Sequence, residues 1–205
     1  LEGSKKYEVI VTSTFESMKI GGGGTSMTIS DVVVVETAPT NQLDRTCAGR
    51  NCKVSEDGLS VEFTGRGIVL SKEGWMTGIH HWEIVADQIR SEAYLGVSVK
   101  PPQNLDSYLH SQNTGFAVFG TTTGRGTCTV YHARQQFESV QMFKQGDRIS
   151  FTLDCDRSVL EYFINGSKIA DLTFGGNLSK FKGQILFPAF GSYNAAIQMK
   201  IKFID

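Results

Sequence analysis

Residues 148–168 read RISFTLDCDRSVLEYFINGSK and predict three strands joined by two tight turns. Apolar and polar side chains alternate along 148–154 and along 159–164, which is the period of two expected of half-buried strands. The Asp-Arg-Ser at 156–158 is a turn sequence. The Asn-Gly at 165–166 strongly favours a two-residue hairpin, because both residues tolerate a positive φ. This segment therefore predicts a three-stranded antiparallel meander.

Strand signals recur along much of the chain, whereas helical periodicity is scarce. Glycine or short polar residues bound each candidate strand, so the connections are short. Further strands are predicted over Val61–Phe63, Ile68–Leu70, His80–Ala86, Tyr94–Val99, Gly115–Phe119, Thr127–Tyr131, Leu186–Phe190 and Ala196–Phe203. Roughly a dozen strands at this spacing predict an all-β fold, a two-sheet antiparallel β-sandwich or jelly roll.

Residues 1–38 are predicted to form a β-rich extension or hairpin ahead of a sandwich at 39–205. Residues 6–11 alternate, Val32–Val35 is continuously apolar, and four glycines at 21–24 lie between them. A glycine run is too flexible for the interior of an element. An exposed apolar strand edge invites aggregation, so we expect the four valines to be paired.

The balance of charge argues against several classes of partner. The chain has 205 residues, 20 Lys and Arg against 21 Asp and Glu, and a formal net charge of −1. No overall positive field attracts nucleic acid or anionic lipid, so neither partner is expected. No apolar run approaches the ~20 residues that cross a bilayer. The length is typical of a single domain and argues against a two-lobed enzyme with a cofactor domain.

Cysteine usage and the N-terminal sequence point to a cytoplasmic location. Cys47, Cys52, Cys128 and Cys155 are few for a disulfide-rich secreted domain, so we interpret them as reduced thiols. Cys47 and Cys52 could close a small loop by a disulfide or share a metal, although their spacing matches no zinc motif. The sequence LEGSKK at 1–6 carries no apolar signal core and is typical of a cloning remnant or of a cut within a longer protein.

The titratable residues do not form a recognisable catalytic or metal-binding pattern. Asp154 and Asp156 have the alternate spacing of paired carboxylates, but they lie at a turn, where aspartate usually caps backbone amides. His80 and His81 are adjacent on a predicted strand and so point to opposite faces. The glycine-rich segment 120–126 lacks the ending of a phosphate-binding loop. We expect no catalytic residue, no metal and no cofactor.

Several blocks, in the order expected, resemble the SPRY domain family. Gly78–Ile84 (GIHHWEI) is similar to its signature of Gly, two variable residues, an aromatic or His, Trp, Glu and an aliphatic residue. The further matching blocks are Tyr94–Ser98, Gly146–Asp154, Leu160–Gly166 and Leu186–Phe190. Leu43–Ala48 and Val54–Leu59 resemble the accessory PRY segment. Thr114–Phe119 departs from the family's Trp-Gly-aromatic block, which indicates local repacking.

The resemblance implies a bent two-sheet sandwich that binds proteins or short peptides through its loops and has no catalytic activity. Many relatives select the substrate in ubiquitin ligases, so the leading interpretation is a recognition module of a larger intracellular protein of that kind. A lectin-like or other small-ligand binder is the alternative, and a structural domain of a large channel or scaffold is a second one. Within the family signature we expect Trp82 and Phe163 to point inward, and Gly78 and Gly96 to allow close backbone approach.

Candidate partner-binding residues lie in loops, where side chains can converge without breaking the sheets. Tyr108 lies near the place where peptide-capturing SPRY proteins carry a tyrosine, and the prolines of its loop lower the entropy lost on binding. Packing of the loop onto the sandwich is the other role open to Tyr108. The full set is Pro101, Pro102, Tyr108 and His110, Arg45 and Arg50 in the upstream loop, Arg125 in the 120–126 loop, and Arg134 with Phe137 in the loop 132–137. Arginine beside aromatic rings suits an acidic or polar peptide.

Overall fold

The computed structural model of the chain describes residues 7–11, 32–36, 41–89, 92–120, 127–193 and 197–204. The chain divides into two compact units, Leu1–Thr40 and Asn41–Asp205. In the first unit, strands β1 (Tyr7–Val11) and β2 (Val32–Glu36) pair antiparallel with each other. The expected pairing of the valines is therefore present, while the boundary predicted after residue 38 stays a prediction.

Within the described residues, the second unit contains two seven-stranded antiparallel sheets. The front sheet has the order β11 (Gln135–Gln141), β10 (Thr127–His132), β9 (Gly115–Gly120), β8 (Ala93–Val99), β15 (Leu186–Ser192), β6 (Gly67–Ser71), β3 (Leu43–Ala48). The back sheet has the order β14 (Ser167–Leu172), β13 (Val159–Ile164), β12 (Arg148–Asp154), β7 (Ile79–Ile89), β16 (Ile197–Ile204), β5 (Ser60–Phe63), β4 (Cys52–Val54). Two short 3₁₀ helices cover Leu109–Ser111 and Asn177–Phe181. The predicted all-β, two-sheet sandwich is confirmed.

The meander predicted from residues 148–168 is formed by β12, β13 and β14, which are neighbours in the back sheet. Asn165 and Gly166 join β13 to β14 with φ values of 51° and 80°. These positive values are the reason that the Asn-Gly pair signals a hairpin.

Large aromatic rings of the back sheet stack at the centre of the sandwich. Trp82, Phe151 and Tyr162 are fully buried, and the centroid of Phe151 lies 5.5 Å from the centroid of each of the other two rings. The inward position predicted for Trp82 is confirmed. The one predicted for Phe163 is wrong: Phe163 is only half-buried, because Leu160, Tyr162 and Ile164 occupy the inward positions of β13.

The two signature glycines act for different physical reasons. A Cβ on Gly96 would lie 2.0 Å from the carbonyl oxygen of Phe116, so β8 and β9 approach closely only with glycine there, as predicted. Gly78 has φ +80°, and the nearest atom to its Cβ position is 3.5 Å away. The prediction that Gly78 allows close backbone approach is therefore wrong. Gly78 instead supplies the left-handed backbone of a turn.

The segment 132–137, expected to be a loop, is mostly strand. Ala133 and Arg134 form a two-residue turn with φ values of 49° and 66°, and β11 begins directly afterwards at Gln135. Phe137 therefore lies within a strand at the edge of the front sheet. The stretches similar to the PRY segment contribute the edge strands β3 and β4.

Residues 100–114, here called the covering loop, lie across the outer face of the front sheet and build a second apolar core. The fully buried members of this second core are Ile68, Leu70, Tyr94, Leu109, Ala117 and Ala189, and Leu105, Tyr108 and Phe119 pack against them. The amide of Ile68 donates to the carbonyl oxygen of Leu105 at 2.8 Å, which fixes the middle of the covering loop to β6. The front sheet is thus buried on both faces beneath this loop.

Lys100 anchors the start of the covering loop. Its ammonium group donates to the carbonyl oxygen of Ser71 at 2.6 Å and to Oδ2 of Asp44 at 3.0 Å. Pro101, which follows a cis peptide bond, is exposed, and Pro102 is buried.

Among the described residues, no helix has the length and apolar character that a membrane span requires.

Candidate functional site

Six rings gather on the outer face of the front sheet and form what we call the Tyr108 cluster. Its members are Tyr94 of β8, Phe119 of β9, Tyr131 of β10, Tyr193 after β15, and Tyr108 and His110 of the covering loop. Tyr94 and Phe119 are directly opposite each other in the β8–β9 ladder, and their ring centroids are 4.8 Å apart. The cluster follows from strand alternation, which points these side chains away from the sandwich core.

The Tyr108 ring is held by a second tyrosine and an arginine. It stacks on Tyr193 with centroids 4.8 Å apart and planes 16° from parallel. The guanidinium carbon of Arg66 lies 5.0 Å from the Tyr108 ring centroid, and Nη1 of Arg66 donates to the Tyr108 hydroxyl oxygen at 3.2 Å. Arg66 also donates from Nε to the carbonyl oxygen of Asp106 at 3.0 Å. Tyr108 is thus fixed in place, while Tyr193 is 39% exposed.

An ion pair between Arg50 and Asp106 lies beside the Tyr108 cluster. The backbone amide and Nε of Arg50 donate to Oδ1 and Oδ2 of Asp106, each at 2.8 Å. These two hydrogen bonds, the backbone one first, lower the pKa of Asp106. The pKa of Tyr193 is raised by its side-chain hydrogen bond with Tyr108 and, to a smaller extent, by the Glu92 carboxylate. The lowered pKa keeps the Asp106 carboxylate ionised at physiological pH, and the raised pKa keeps the Tyr193 hydroxyl neutral.

His110 lies beneath these rings. Its ring centroid is 4.8 Å from that of Tyr94, 5.0 Å from that of Tyr131 and 5.5 Å from that of Tyr108. Burial, and then the Arg134 cation, lower the pKa of His110. A cation–π attraction of about 0.5–1 kcal/mol at an exposed site, or about 2 kcal/mol when desolvated, would favour the charged ring. Burial, the Arg134 cation and the unpaired N–H of a protonated ring oppose it, and together they favour the neutral ring.

The structure brings together four of the predicted site residues. Tyr108 and His110 belong to the cluster, and Arg50 reaches it through Asp106. The backbone amide of Arg134 donates to the carbonyl oxygen of His110 at 2.8 Å. Whether these residues contact a partner stays a prediction.

The other predicted site residues are not among the contacts of the cluster. Arg45 was expected in a loop, but it lies in strand β3, and its guanidinium group donates from Nη2 to the carbonyl oxygen of Ser55 at 2.6 Å. Phe137 packs against the Gly175 backbone, where an added Cβ would lie 2.6 Å from Cε1 of Phe137. Pro101 and Pro102 shape the start of the covering loop, and Arg125 lies outside the described residues.

Sequence reasoning missed Arg66, Asp106 and Tyr193. Arg66 lies between Gly65 and Gly67 in the short connection from β5 to β6, and that position in a tight turn was an available signal. Tyr193 immediately follows the last residue of β15. Its proximity to Tyr108 depends on the covering loop crossing β15, which no local pattern shows.

The titratable residues considered for catalysis or metal binding are engaged in structural contacts within the part of the chain that the structure describes. Asp154 Oδ1 accepts from the Arg157 amide at 2.8 Å, and Asp156 Oδ2 accepts from the Gly78 amide at 3.3 Å, so both cap turns. In the described ranges, no group of three or more His, Cys, Asp or Glu could hold a metal ion. All four cysteines are free, and burial raises the pKa of Cys52 to about 12. A buried thiol of high pKa is a poor nucleophile.

The chain is a two-sheet antiparallel β-sandwich whose candidate site combines strand residues of the front sheet with residues of the covering loop. The family model for the SPRY domain matches residues 79–203. The chain belongs to the SPRY domain family. The crystal structure of the SPRY domain of human HERC1 is similar, with a TM-score of 0.60 and 20% sequence identity over 80% of this chain and 98% of that one. No curated protein matches the chain in sequence.

The crystal structure of the TRIM65 PSpry domain is also similar, with a TM-score of 0.59 and 13% identity over 80% of this chain and 90% of that one. At these identities both likenesses concern the fold. They cover most of each known domain and agree with the sandwich described above.

Proposed function

We propose that this chain is a non-catalytic recognition module that binds another protein through a short segment at the Tyr108 cluster. Membership of the SPRY family supports the general role, because SPRY domains typically bind proteins. The cluster supports the location, since it combines exposed aromatic surface with arginines, the residue types enriched at interface hot spots.

The observation that carries this proposal is that neighbouring side chains hold the Tyr108 ring in one position. Arg66 and Tyr193 both contact the ring in the free chain. A contact surface ordered in advance loses less conformational entropy on binding. Arg66 and Arg50 are exposed beside it and suit a carboxylate. The best fit is a peptide segment with an acidic side chain next to an apolar one.

The proposed setting is a larger cytoplasmic protein, with the substrate-selecting part of a ubiquitin ligase as the first candidate. The support is the SPRY family membership, since many members serve in such ligases. A pull-down from cell extract followed by mapping of the shortest bound segment addresses this setting. Recovery of partners that are ubiquitinated in the presence of the parent protein would support it.

Peptide display tests the site itself. The 205-residue chain is used to select peptides from a random 12-residue library, and the tightest binder is measured against variants by calorimetry. We expect Tyr108→Ala and Arg66→Ala each to weaken binding at least tenfold, the equivalent of about 1.4 kcal/mol. Lys182→Ala is the matched control, because Lys182 is also exposed and also donates to a backbone carbonyl oxygen, that of Asp156.

Two results would contradict the proposed site. Equal affinity of the Tyr108→Ala variant and the parent chain would remove the cluster from the interface. Saturable binding on a glycan array without any selected peptide would favour the lectin-like alternative instead. Tyr193 is the specific reason to run that array, since an exposed ring can stack on a sugar face.

A further inference from the structure

His110 is the member of the Tyr108 cluster whose side-chain type ordinarily titrates near neutral pH. The groups that face its ring come from separate elements: Tyr94 from β8, Phe119 from β9, Tyr131 from β10, Tyr108 from the covering loop itself, and Arg134 from the β10–β11 turn. Arg134 is the only charged residue in this set. Glu92 acts on Tyr94 and Tyr193, and no acidic side chain in the described ranges contacts the His110 ring.

The environment of His110 accommodates a neutral ring. Its Nδ1 atom is buried and has no hydrogen-bond partner among the described residues. A protonated imidazole carries an N–H on both nitrogens. The second N–H would therefore be enclosed without an acceptor, close to the Arg134 cation. Protonation would favour arrangements in which the His110 ring reaches water.

We propose that His110 makes the Tyr108 cluster a pH-sensitive recognition surface, which loosens and binds its partner less tightly when its ring is protonated. This inference rests on the proposed function for the partner-binding part only. The loosening is a property of the free chain. Tyr108 carries the effect to the surface, because its ring contacts His110 on one side and Tyr193 on another.

The direction of this pH effect follows from the linkage between protonation of His110 and packing of the cluster. An exposed histidine titrates near pH 6.5, whereas burial and Arg134 hold the packed ring below that value. Acid therefore favours the state in which His110 is exposed. A partner that needs the packed cluster loses affinity as pH falls below about 6.5. By reciprocity, binding of that partner would release a proton.

NMR of the free 205-residue chain tests the loosening without any partner. The ring signals of His110, Tyr108 and Tyr193 are followed from pH 7.5 to pH 5.0. We expect His110 to titrate below its ordinary value, with both tyrosine signals moving at the same midpoint. Tyrosine signals that stay constant while His110 titrates would overturn the inference, as would a midpoint of His110 at or above its ordinary value.

Affinity measurements test the consequence for binding. The probe is the tightest display-selected peptide that lacks histidine, measured at pH 7.5 and pH 5.5. We expect the affinity of the parent chain to be several-fold lower at pH 5.5. The limit is about tenfold, because the pKa of an exposed imidazole, about 6.5, lies one unit above the lower pH. His110→Phe keeps a ring without the nitrogens and should give equal affinities at the two pH values.

The matched control is His80→Phe. His80 also stacks on an aromatic ring, that of Trp75, with centroids 4.4 Å apart, but it lies outside the Tyr108 cluster. This variant should keep the pH dependence of the parent chain. Equal affinities in the parent chain would contradict the inference while leaving the proposed function intact. Failure to select any peptide would count against the proposed function, and the NMR titration would still decide the inference.

Discussion

At the scale of single residues, neighbours on one strand have opposite physical roles. Tyr162 is fully buried, stacks on Phe151 and donates from its hydroxyl to the carbonyl oxygen of Gln141 at 3.2 Å. Phe163, the next residue, points away from the core and is only half-buried. Alternation in the block Leu-Glu-Tyr-Phe-Ile separates the two aromatic residues, because the register that points Phe163 inward would also bury the Glu161 carboxylate.

Truncation of the two residues should separate these roles. Tyr162→Ala removes a buried ring and should lower the free energy of unfolding by about 3–5 kcal/mol. Phe163→Ala removes a partly exposed ring and should cost about 1 kcal/mol. Urea unfolding of both variants at pH 7.5 gives the comparison. A larger loss for Phe163→Ala would show that the register of β13 is wrong.

At the scale of elements, the covering loop determines where Tyr108 lies. Besides its bond from Ile68, the loop is closed by reciprocal hydrogen bonds between Asn104 and Gln112, at 3.1 and 2.9 Å. Gly49 lies directly beneath it, and an added Cβ would be 2.4 Å from the carbonyl oxygen of Leu105. The loop can rest on the sheet only because residue 49 has no side chain.

Gly49→Ala should therefore displace the covering loop. We expect faster hydrogen exchange at the amide of Ile68, which donates to Leu105, and weaker binding of the display-selected peptide. Gly74→Ala is the matched control: its Cβ would also meet backbone, 2.5 Å from the carbonyl oxygen of Leu186, but Leu186 does not belong to the covering loop. Unchanged exchange at Ile68 in the Gly49→Ala variant would contradict this role of the loop.

The local sequence pattern predicted those elements whose turns contain recognisable turn residues, such as Asn-Gly. The Asn165-Gly166 hairpin and the strands around it were predicted, because alternation and positive-φ residues agree there. Strand β11 was not, because the Ala133-Arg134 turn has no such signal and residues 135–141 are mostly exposed. For the same reason the site was predicted in part. Tyr108 lies in a loop visible in sequence, whereas its contacts with Arg66 and Tyr193 exist only in three dimensions.

At the scale of the whole molecule, the buried His132 and the half-buried His110 link stability to pH. His132 stacks on Phe116 with centroids 4.1 Å apart, and its Nδ1 lies 3.0 Å from the carbonyl oxygen of Gly115. Burial lowers the pKa of His132, as it does for His110. The unfolded chain then binds more protons than the folded chain below the ordinary histidine pKa. Stability must therefore fall as pH decreases through that range.

Unfolding at several pH values tests this linkage. Between pH 7.5 and pH 5.0 the urea midpoint of the parent chain should fall steadily, because each buried histidine favours the unfolded state once it can be protonated. The double variant His110→Phe, His132→Phe should show a flatter profile over the same range. Equal slopes for the two proteins would mean that other groups control the stability in acid.

Mapping the bound peptide by NMR tests the central claim most directly. The display-selected peptide is added to the isotope-labelled 205-residue chain, and side-chain shifts are recorded at saturation. We predict the largest changes at Arg66 and Tyr193, which are exposed, and at Tyr108, which is half-buried and contacts both. The largest changes at Met76 and Ile185, exposed apolar residues outside the cluster, would place recognition on another surface and contradict the account.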